Sequence, residues 1–158
     1  MSFKKEITIL FFVLTVTFIS MSSALFNGFT NWDDRVHVLE NSQIRSLDWG
    51  NIKTIFTSKV IQGYIPLTIL SFAIEHNFSR HPFVFHLDNL LLHVIVAALI
   101  FWLGLRFGLD AWAAGLAALL FGVHPMHVEA VAWVSARKDV LYAVFYLLAV
   151  HSHLTYIE

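Results

Sequence analysis

Cysteine is absent from this chain of 158 residues, and charged residues are scarce. The absence of cysteine excludes disulfides, thiolate zinc sites and cysteine nucleophiles. Charged side chains make up only 13% of the residues and the net charge at pH 7 is -1, so no basic excess indicates a nucleic-acid partner. Hydrophobic residues, in contrast, make up 58% of the chain, more than a soluble domain of this size usually carries. The composition therefore indicates a membrane protein.

Apolar stretches predict about four transmembrane helices, because crossing a bilayer core takes about 20 apolar residues of helix. We place these helices at about residues 7–26, 83–107, 111–134 and 139–157. The third is expected to be kinked near Pro125, since proline removes a helical hydrogen bond and disfavours helical geometry in the residue before it. The sequence thus predicts an all-α, multi-pass helical bundle, with residues 1–158 as a single region.

Basic residues near the ends of the spans set the predicted orientation. Lys4 and Lys5 precede the first span and Arg106 ends the second, and such residues favour the cytoplasmic side. Residues 27–82 then form a long loop on the outer side. Residues 124–139 are predicted to lie on the outer side as well. Apolar residues at helical spacing predict interfacial helices within this long loop.

The first apolar segment also fits a signal peptide. Lys4 and Lys5 form a basic start, and Ser22-Ser23-Ala24 resembles a small-residue cleavage site. The apolar run is longer than the usual core of a signal peptide, and further spans follow it. We therefore prefer an uncleaved first helix.

Two adjacent carboxylates, Asp33 and Asp34, follow the first span. Ionisable groups beside long apolar runs are costly and indicate function by default. Neighbouring residues in a loop point in different directions, so one could act as a general base for a hydroxyl group while the other binds a metal or orients a partner. A helix cap or a solvated turn is the structural alternative.

Polar residues recur on one face of the second span, where His86, Asn89 and His93 are spaced by three and seven residues. A polar stripe on a membrane helix must face protein or water. It either hydrogen-bonds to neighbouring helices or lines a cavity that opens to the outer side.

A second polar cluster, His124, His127 and Glu129, follows the third apolar segment. Its histidines are three residues apart with no glutamate between them, so it lacks the helical zinc-protease pattern. It indicates a polar pocket at the membrane boundary more strongly than a metal site. A divalent metal held by these histidines together with Asp33 and Asp34 is left open.

Two cations, Arg137 and Lys138, stand on the outer side against the positive-inside trend. Either the trend has an exception here or these cations hold an anionic group such as a lipid phosphate. Under one topology, all the candidate site residues share the outer side: Asp33, Asp34, His86, His124, His127, Glu129, Arg137 and Lys138.

An ordered series of motifs now suggests a family. The series is Trp32-Asp33-Asp34, Pro66-Leu67-Thr68, Phe85-His86-Leu87-Asp88-Asn89-Leu90-Leu91-Leu92-His93, His124-Pro125-Met126-His127-Val128-Glu129-Ala130-Val131-Ala132-Trp133-Val134-Ser135 and Arg137-Lys138-Asp139. It closely resembles the membrane region of the transmembrane and tetratricopeptide-repeat proteins and their bacterial relatives. Those proteins belong to the GT-C glycosyltransferases, which include the protein O-mannosyltransferases.

The resemblance implies a GT-C-like bundle and a reaction. A mannose-like sugar would pass, with inversion, from a polyprenyl phosphate carrier in the membrane to a hydroxyl of a protein or glycan acceptor. Asp33 matches the catalytic base and Asp34 the neighbouring acidic position, while Arg137 and Lys138 would hold the carrier phosphate. The polar residues His86, His124, His127 and Glu129 are grouped with that phosphate-binding set.

The implied location is a bacterial inner membrane with a periplasmic site, or alternatively the endoplasmic reticulum with a luminal site. No cofactor beyond the lipid-linked donor is certain. Family members continue into further membrane helices and tetratricopeptide repeats, which are not found in these 158 residues. Two other functions therefore stay open: a non-catalytic membrane subunit or remnant that binds a partner, and a histidine-lined metal-binding or transport module.

Overall fold

The computed structural model describes residues 2–61 and 63–157. Over that range the chain is helical and forms no β-strand, which confirms the predicted all-α class. The α-helices in this part of the chain are α1 Ser2–Met21, α2 Trp49–Thr57, α3 Pro66–Phe78, α4 Pro82–Arg106, α5 Ala111–Gly122, α6 Val128–Ala132 and α7 Arg137–Ile157.

Three helical segments are long and apolar enough to cross a membrane, namely Phe3–Phe26, Pro82–Arg106 and Val134–Ile157. A further crossing can be made by Ala111–Gly122 together with Pro125–Ala132, a pair bent by 51° at a short break. The break lies just before Pro125, where proline disfavours helical geometry. The described residues thus form a membrane bundle of three spans, or four if the bent pair counts as one.

Small residues let α5 approach its neighbours closely. Ala114, Ala118 and Gly122 repeat at four-residue spacing and are buried against α1 and α4. A methyl group added at Gly115 would stand 2.5 Å from the Ile9 side chain on α1. This packing follows the rule for helices in lipid, where small side chains permit close van der Waals contact.

The turn between α4 and α5 forms from local signals in the sequence. Gly108 adopts a φ of 83°, a left-handed conformation that favours glycine after a helix. Asp110 then caps α5 by accepting hydrogen bonds from the backbone N–H groups of Trp112 at 2.7 Å and Ala113 at 3.1 Å. Gly108 thus follows the end of α4, and Asp110 caps the start of α5.

The long segment between the first two spans, residues 27–81, is folded onto the bundle; we call it the outer segment. It contains α2, which Asp48 caps by accepting from the Asn51 N–H at 3.0 Å, and α3, which is too short to be a span. Its apolar side chains form a core with two residues of the bundle: Val38, Ile44, Ile55, Ile69, Phe72, Ala73, Phe85 and Val134. This core fixes the segment relative to α4 and the start of α7.

The bundle has two distinct ends. At one end, the Lys5 ammonium lies 5.6 Å from the centre of the Trp112 ring, and Arg106 donates a hydrogen bond to the carbonyl of His151 at 2.7 Å. The outer segment and the turns between α5 and α7 gather at the other end. The basic residues Lys4, Lys5 and Arg106 therefore share the end that the sequence predicts to be cytoplasmic.

Cysteine labelling tests this orientation. In the cysteine-free background, we expect Ser42→Cys and Met126→Cys to react with an impermeant thiol reagent from the non-cytoplasmic side, since both residues are exposed. Phe107→Cys, at the opposite end, should react only after the membrane is opened. The reverse labelling pattern would show that the chain has the opposite orientation to the predicted one.

Candidate active site

Asp34 is a buried structural anchor. Its Oδ2 accepts hydrogen bonds from the Thr30 N–H at 2.8 Å and the Thr30 hydroxyl at 3.0 Å. Its Oδ1 accepts from the Ser135 N–H at 2.9 Å and the Ser135 hydroxyl at 2.6 Å. The side chain is fully shielded from solvent. Asp34 therefore ties the outer segment to the turn before α7, and its oxygens are already occupied.

Asp33 is placed differently from its neighbour. It is half-buried, and its carboxylate makes no hydrogen bond or ion pair with another residue in the described ranges. A carboxylate that is partly shielded but uncommitted is available to accept a proton from a bound hydroxyl group. The two acids therefore differ in their surroundings, and a difference in role stays a prediction.

His37, which the sequence analysis did not single out, lies close to the charges of this site. It is buried, and its Nδ1 has no hydrogen-bond partner in the described structure. Burial lowers the pKa of His37, while Asp33 raises it and Lys138 lowers it. Both charges therefore act on the same ring. Its position three residues after Asp34 is the only sequence signal that could have identified it.

Two tryptophans and a lysine stand beside this group. The Trp32 and Trp133 rings lie 5.8 Å apart between centroids, and the Lys138 ammonium lies 5.6 Å from the centre of the Trp133 ring. Trp32 is 76% exposed. Lys138 keeps part of its surface accessible and forms no ion pair with a described residue.

Arg137, in contrast, is entirely enclosed. Its Nε donates to the Asn89 side-chain oxygen at 2.7 Å, its Nη1 to Glu75 at 2.6 Å and its Nη2 to the carbonyl of Phe85 at 2.6 Å. The guanidinium also lies 4.6 Å from the centre of the Phe72 ring. All three nitrogens are engaged inside the protein. The geometry therefore gives no support to a role for Arg137 in binding a lipid phosphate.

Two carboxylates share this arginine. Besides Glu75, Asp88 approaches Nη1 of Arg137 at 3.1 Å. Burial raises the pKa of Glu75 to about 8, although Arg137 opposes the rise and Asp88 adds to it. A proton on Glu75 leaves one negative and one positive charge in the cluster, the balanced state for a buried group. Asp88, a charged residue on the apolar helix α4, is thus a partner of Arg137.

The polar stripe on α4 serves helix packing. His86 faces the carbonyl of Gly28 at 3.4 Å, and His93 faces the carbonyl of Gly122 at 3.0 Å. Asn89 donates to the carbonyl of Trp133 at 3.0 Å. All three side chains are buried. Of the two interpretations of this stripe, hydrogen bonding to neighbouring elements describes the structure, and His86 does not join Asp33.

The second histidine cluster is also separate from the two aspartates. His127 packs against the Phe121 ring at 4.1 Å between centroids, and His124 accepts a hydrogen bond from the Met126 N–H at 3.2 Å. Glu129 is exposed. Within residues 2–61 and 63–157, no three His, Asp or Glu side chains come together to hold a metal ion. The metal set considered from the sequence is therefore not assembled.

An apolar groove runs between α3 and α7. Its volume is about 410 Å³, and its lining includes Pro66 and Leu67 of the outer segment and Tyr142 and Phe145 of α7. Lys138 also lines it and supplies the only charged side chain among the lining residues that the structure describes. The groove therefore combines an apolar surface with one cation.

Known proteins similar to this chain share one name. The human protein O-mannosyl-transferase TMTC3 is 32% identical over 160 residues, which cover 94% of this chain and 17% of that protein. The Drosophila melanogaster protein O-mannosyl-transferase Tmtc2 is 33% identical and covers 93% of this chain with 17% of its own length. The human protein O-mannosyl-transferase TMTC4 is 40% identical over 116 residues, which cover 64% of this chain and 15% of that protein.

Over 93–94% of its length, this membrane protein is similar to protein O-mannosyl-transferases. It spans 17% of the length of the first two relatives. No family model matches the chain, and no solved structure matches it significantly. These relatives are animal proteins, so they give no support to the bacterial inner-membrane location predicted from the sequence.

The anchoring role of Asp34 can be measured as stability. Asp34→Asn turns a charged acceptor of four hydrogen bonds into an amide that cannot accept all of them. We expect the variant to lose about 2–4 kcal/mol, because buried donors are left unsatisfied. Thermal unfolding in detergent, followed by tryptophan fluorescence, measures the loss. Asp33→Asn is the matched control and should unfold at the wild-type temperature; equal midpoints for both variants would contradict the anchor.

Proposed function

We propose that this chain carries the catalytic centre of a membrane mannosyltransferase. The enzyme transfers mannose from a polyprenyl phosphate to a hydroxyl group of a protein acceptor on the non-cytoplasmic side. One observation carries the proposal: the Lys138 ammonium lies 5.6 Å from the centre of the Trp133 ring, which packs at 5.8 Å against Trp32 beside the uncommitted Asp33, and Lys138 also lines an apolar groove. A base, a cation for phosphate and a surface for a lipid tail thus occur together.

The chemistry follows from these three parts. The acceptor hydroxyl oxygen attacks the anomeric carbon of the sugar from the face opposite the phosphate, and Asp33 takes the hydroxyl proton. The bond between that carbon and the phosphate oxygen breaks, and the phosphate leaves with the bonding electrons. Lys138 stabilises the charge that develops on the phosphate, which is the usual way that a fixed cation lowers such a barrier.

The groove between α3 and α7 is proposed to bind the first units of the polyprenyl chain. Its lining residues Leu67, Leu141 and Phe145 present apolar surface beside Lys138. Burying an apolar tail there is favourable, and a lysine acts on phosphate as a point charge that needs no fixed geometry. Lys138 therefore binds the carrier phosphate in this proposal, a role that the sequence analysis gave to Arg137 and Lys138 together.

The outer side is the endoplasmic reticulum lumen if the chain works in the membrane system of a eukaryote. This assignment rests on the positions of Lys4, Lys5 and Arg106 and on the animal origin of the relatives described above. The competing function is a non-catalytic subunit with the same fold, and the transfer assay distinguishes it.

Asp33→Asn tests the base directly. Since an amide cannot take the hydroxyl proton, we expect mannose transfer from polyprenyl phosphate mannose to a threonine peptide to fall at least about a hundredfold. The control is Asp139→Asn. It removes an exposed carboxylate in the first turn of α7, next to Lys138, and should keep wild-type activity. Transfer at the wild-type rate in Asp33→Asn would exclude this base. No transfer by the wild-type protein would favour the non-catalytic subunit.

Lys138→Gln tests the phosphate site without any transfer. Removing one charged contact should weaken the binding of polyprenyl phosphate to purified protein in detergent by about tenfold. Binding of the uncharged polyprenol should not change, because the groove is intact. Lys59→Gln removes a lysine of the outer segment that does not line the groove, and should leave both affinities unchanged. An equal loss for polyprenol would point to a damaged groove and contradict the phosphate contact.

A further inference from the structure

A small pocket in the outer segment is lined by two arginines and a histidine. Arg45, His76 and Arg80 face a cavity of about 150 Å³. Phe29 and Phe85 also line it, with their rings edge to face at 5.3 Å between centroids. The lining residues that the structure describes include no carboxylate. The pocket is therefore cationic, with an aromatic wall.

The two arginines are not neutralised by the protein. Neither guanidinium makes a hydrogen bond or ion pair with another residue in the described part of the chain. Other arginines of this end are paired: Arg35 bonds to Glu40 at 2.6 Å, and Arg137 is enclosed with Glu75. Arg45 and Arg80 thus leave their donors available to a ligand.

The charges of both arginines affect the pKa of His76. Burial lowers the pKa of His76, and the positive charges of Arg80 and Arg45 lower it further. Both guanidinium groups therefore lie near enough to act on the same ring. An uncharged imidazole ring offers one donor and one acceptor beside the two cationic forks.

We propose that this pocket binds a carboxylate side chain of the acceptor polypeptide. Arginine matches a carboxylate with two parallel hydrogen bonds, and the cavity has room for one small anionic group. Val38 and Leu39 also line the pocket, and they belong to the turn Arg35–Leu39 that directly follows Asp33 and Asp34. An acidic residue held here would position a nearby serine or threonine for Asp33.

A lipid headgroup is the competing source of negative charge. Among the lining residues, only Phe85 belongs to a candidate span, and it lies in the first turn of Pro82–Arg106. The pocket therefore lies beyond the apolar core of the bilayer, within the folded outer segment. The cavity of about 150 Å³ suits the small, planar carboxylate of a peptide side chain better than the bulkier phosphodiester of a lipid headgroup. The inference rests on the proposed function for the identity of the acceptor, but binding can be measured without it.

The test compares two synthetic hexapeptides with blocked termini and one threonine each, one with two glutamates and one with two glutamines. We expect purified protein in neutral detergent to bind the glutamate peptide at least about tenfold more tightly. The double variant Arg45→Gln and Arg80→Gln should lose this preference. Lys53→Gln with Lys59→Gln is the matched control, since it removes the same charge from exposed positions of the same segment and should keep the preference.

Three results would overturn the inference. The two peptides could bind equally, the lysine control could lose the preference as fully as the arginine variant, or binding of phosphatidylserine vesicles could depend on the two arginines while peptide binding does not. Thermal unfolding checks that the arginine variant is folded. The binding assay contains no mannose donor, so its result does not depend on transfer. A protein that keeps the peptide preference but transfers no mannose would overturn the proposed function alone. Transfer without any peptide preference would overturn only the pocket.

Discussion

The buried guanidinium of Arg137 is the constraint on which the rest of the bundle depends. Its partners come from two helices, Glu75 on α3 and Asn89 and the carbonyl of Phe85 on α4, and Arg137 itself begins a third, α7. An unpaired charge in such a place is destabilising by several kcal/mol. The three helices must therefore hold these distances, and this fixes where the first turn of α7 begins.

In each of two adjacent pairs, Asp33-Asp34 and Arg137-Lys138, one charged residue has a structural role and the other is accessible to a ligand. Asp34 and Arg137 are enclosed and bind other elements of the protein, whereas Asp33 and Lys138 keep part of their surface accessible. Because neighbouring residues point in different directions, an anchored residue positions the accessible one beside it. The arrangement leaves the carboxylate of Asp33 and the ammonium of Lys138 partly accessible, with no ion pair between them.

Local sequence patterns were sufficient to predict the helices and their ends. The surroundings of the site residues depend on contacts between residues far apart in the chain. The Gly108 stop and the Asp110 cap depend on a few neighbouring residues, so they could be predicted. The burial of Asp34 depends on Ser135, which is 101 residues away, and that of Arg137 on Glu75, 62 residues away. The two interpretations of the intramembrane histidines could not be separated from the sequence for a related reason: His93 faces a carbonyl on another helix, which no single-helix pattern reveals.

The bond between Asp34 and Ser135 also has a consequence for biosynthesis. As the chain leaves the ribosome, the loop with the two aspartates emerges early, but its second anchor lies 101 residues later. Contacts at such sequence separation close slowly and late. The loop therefore waits at the membrane surface, with Asp34 hydrogen-bonded only to its near neighbour Thr30, until the start of α7 arrives. The start of α7 thus completes a loop that was made about a hundred residues earlier.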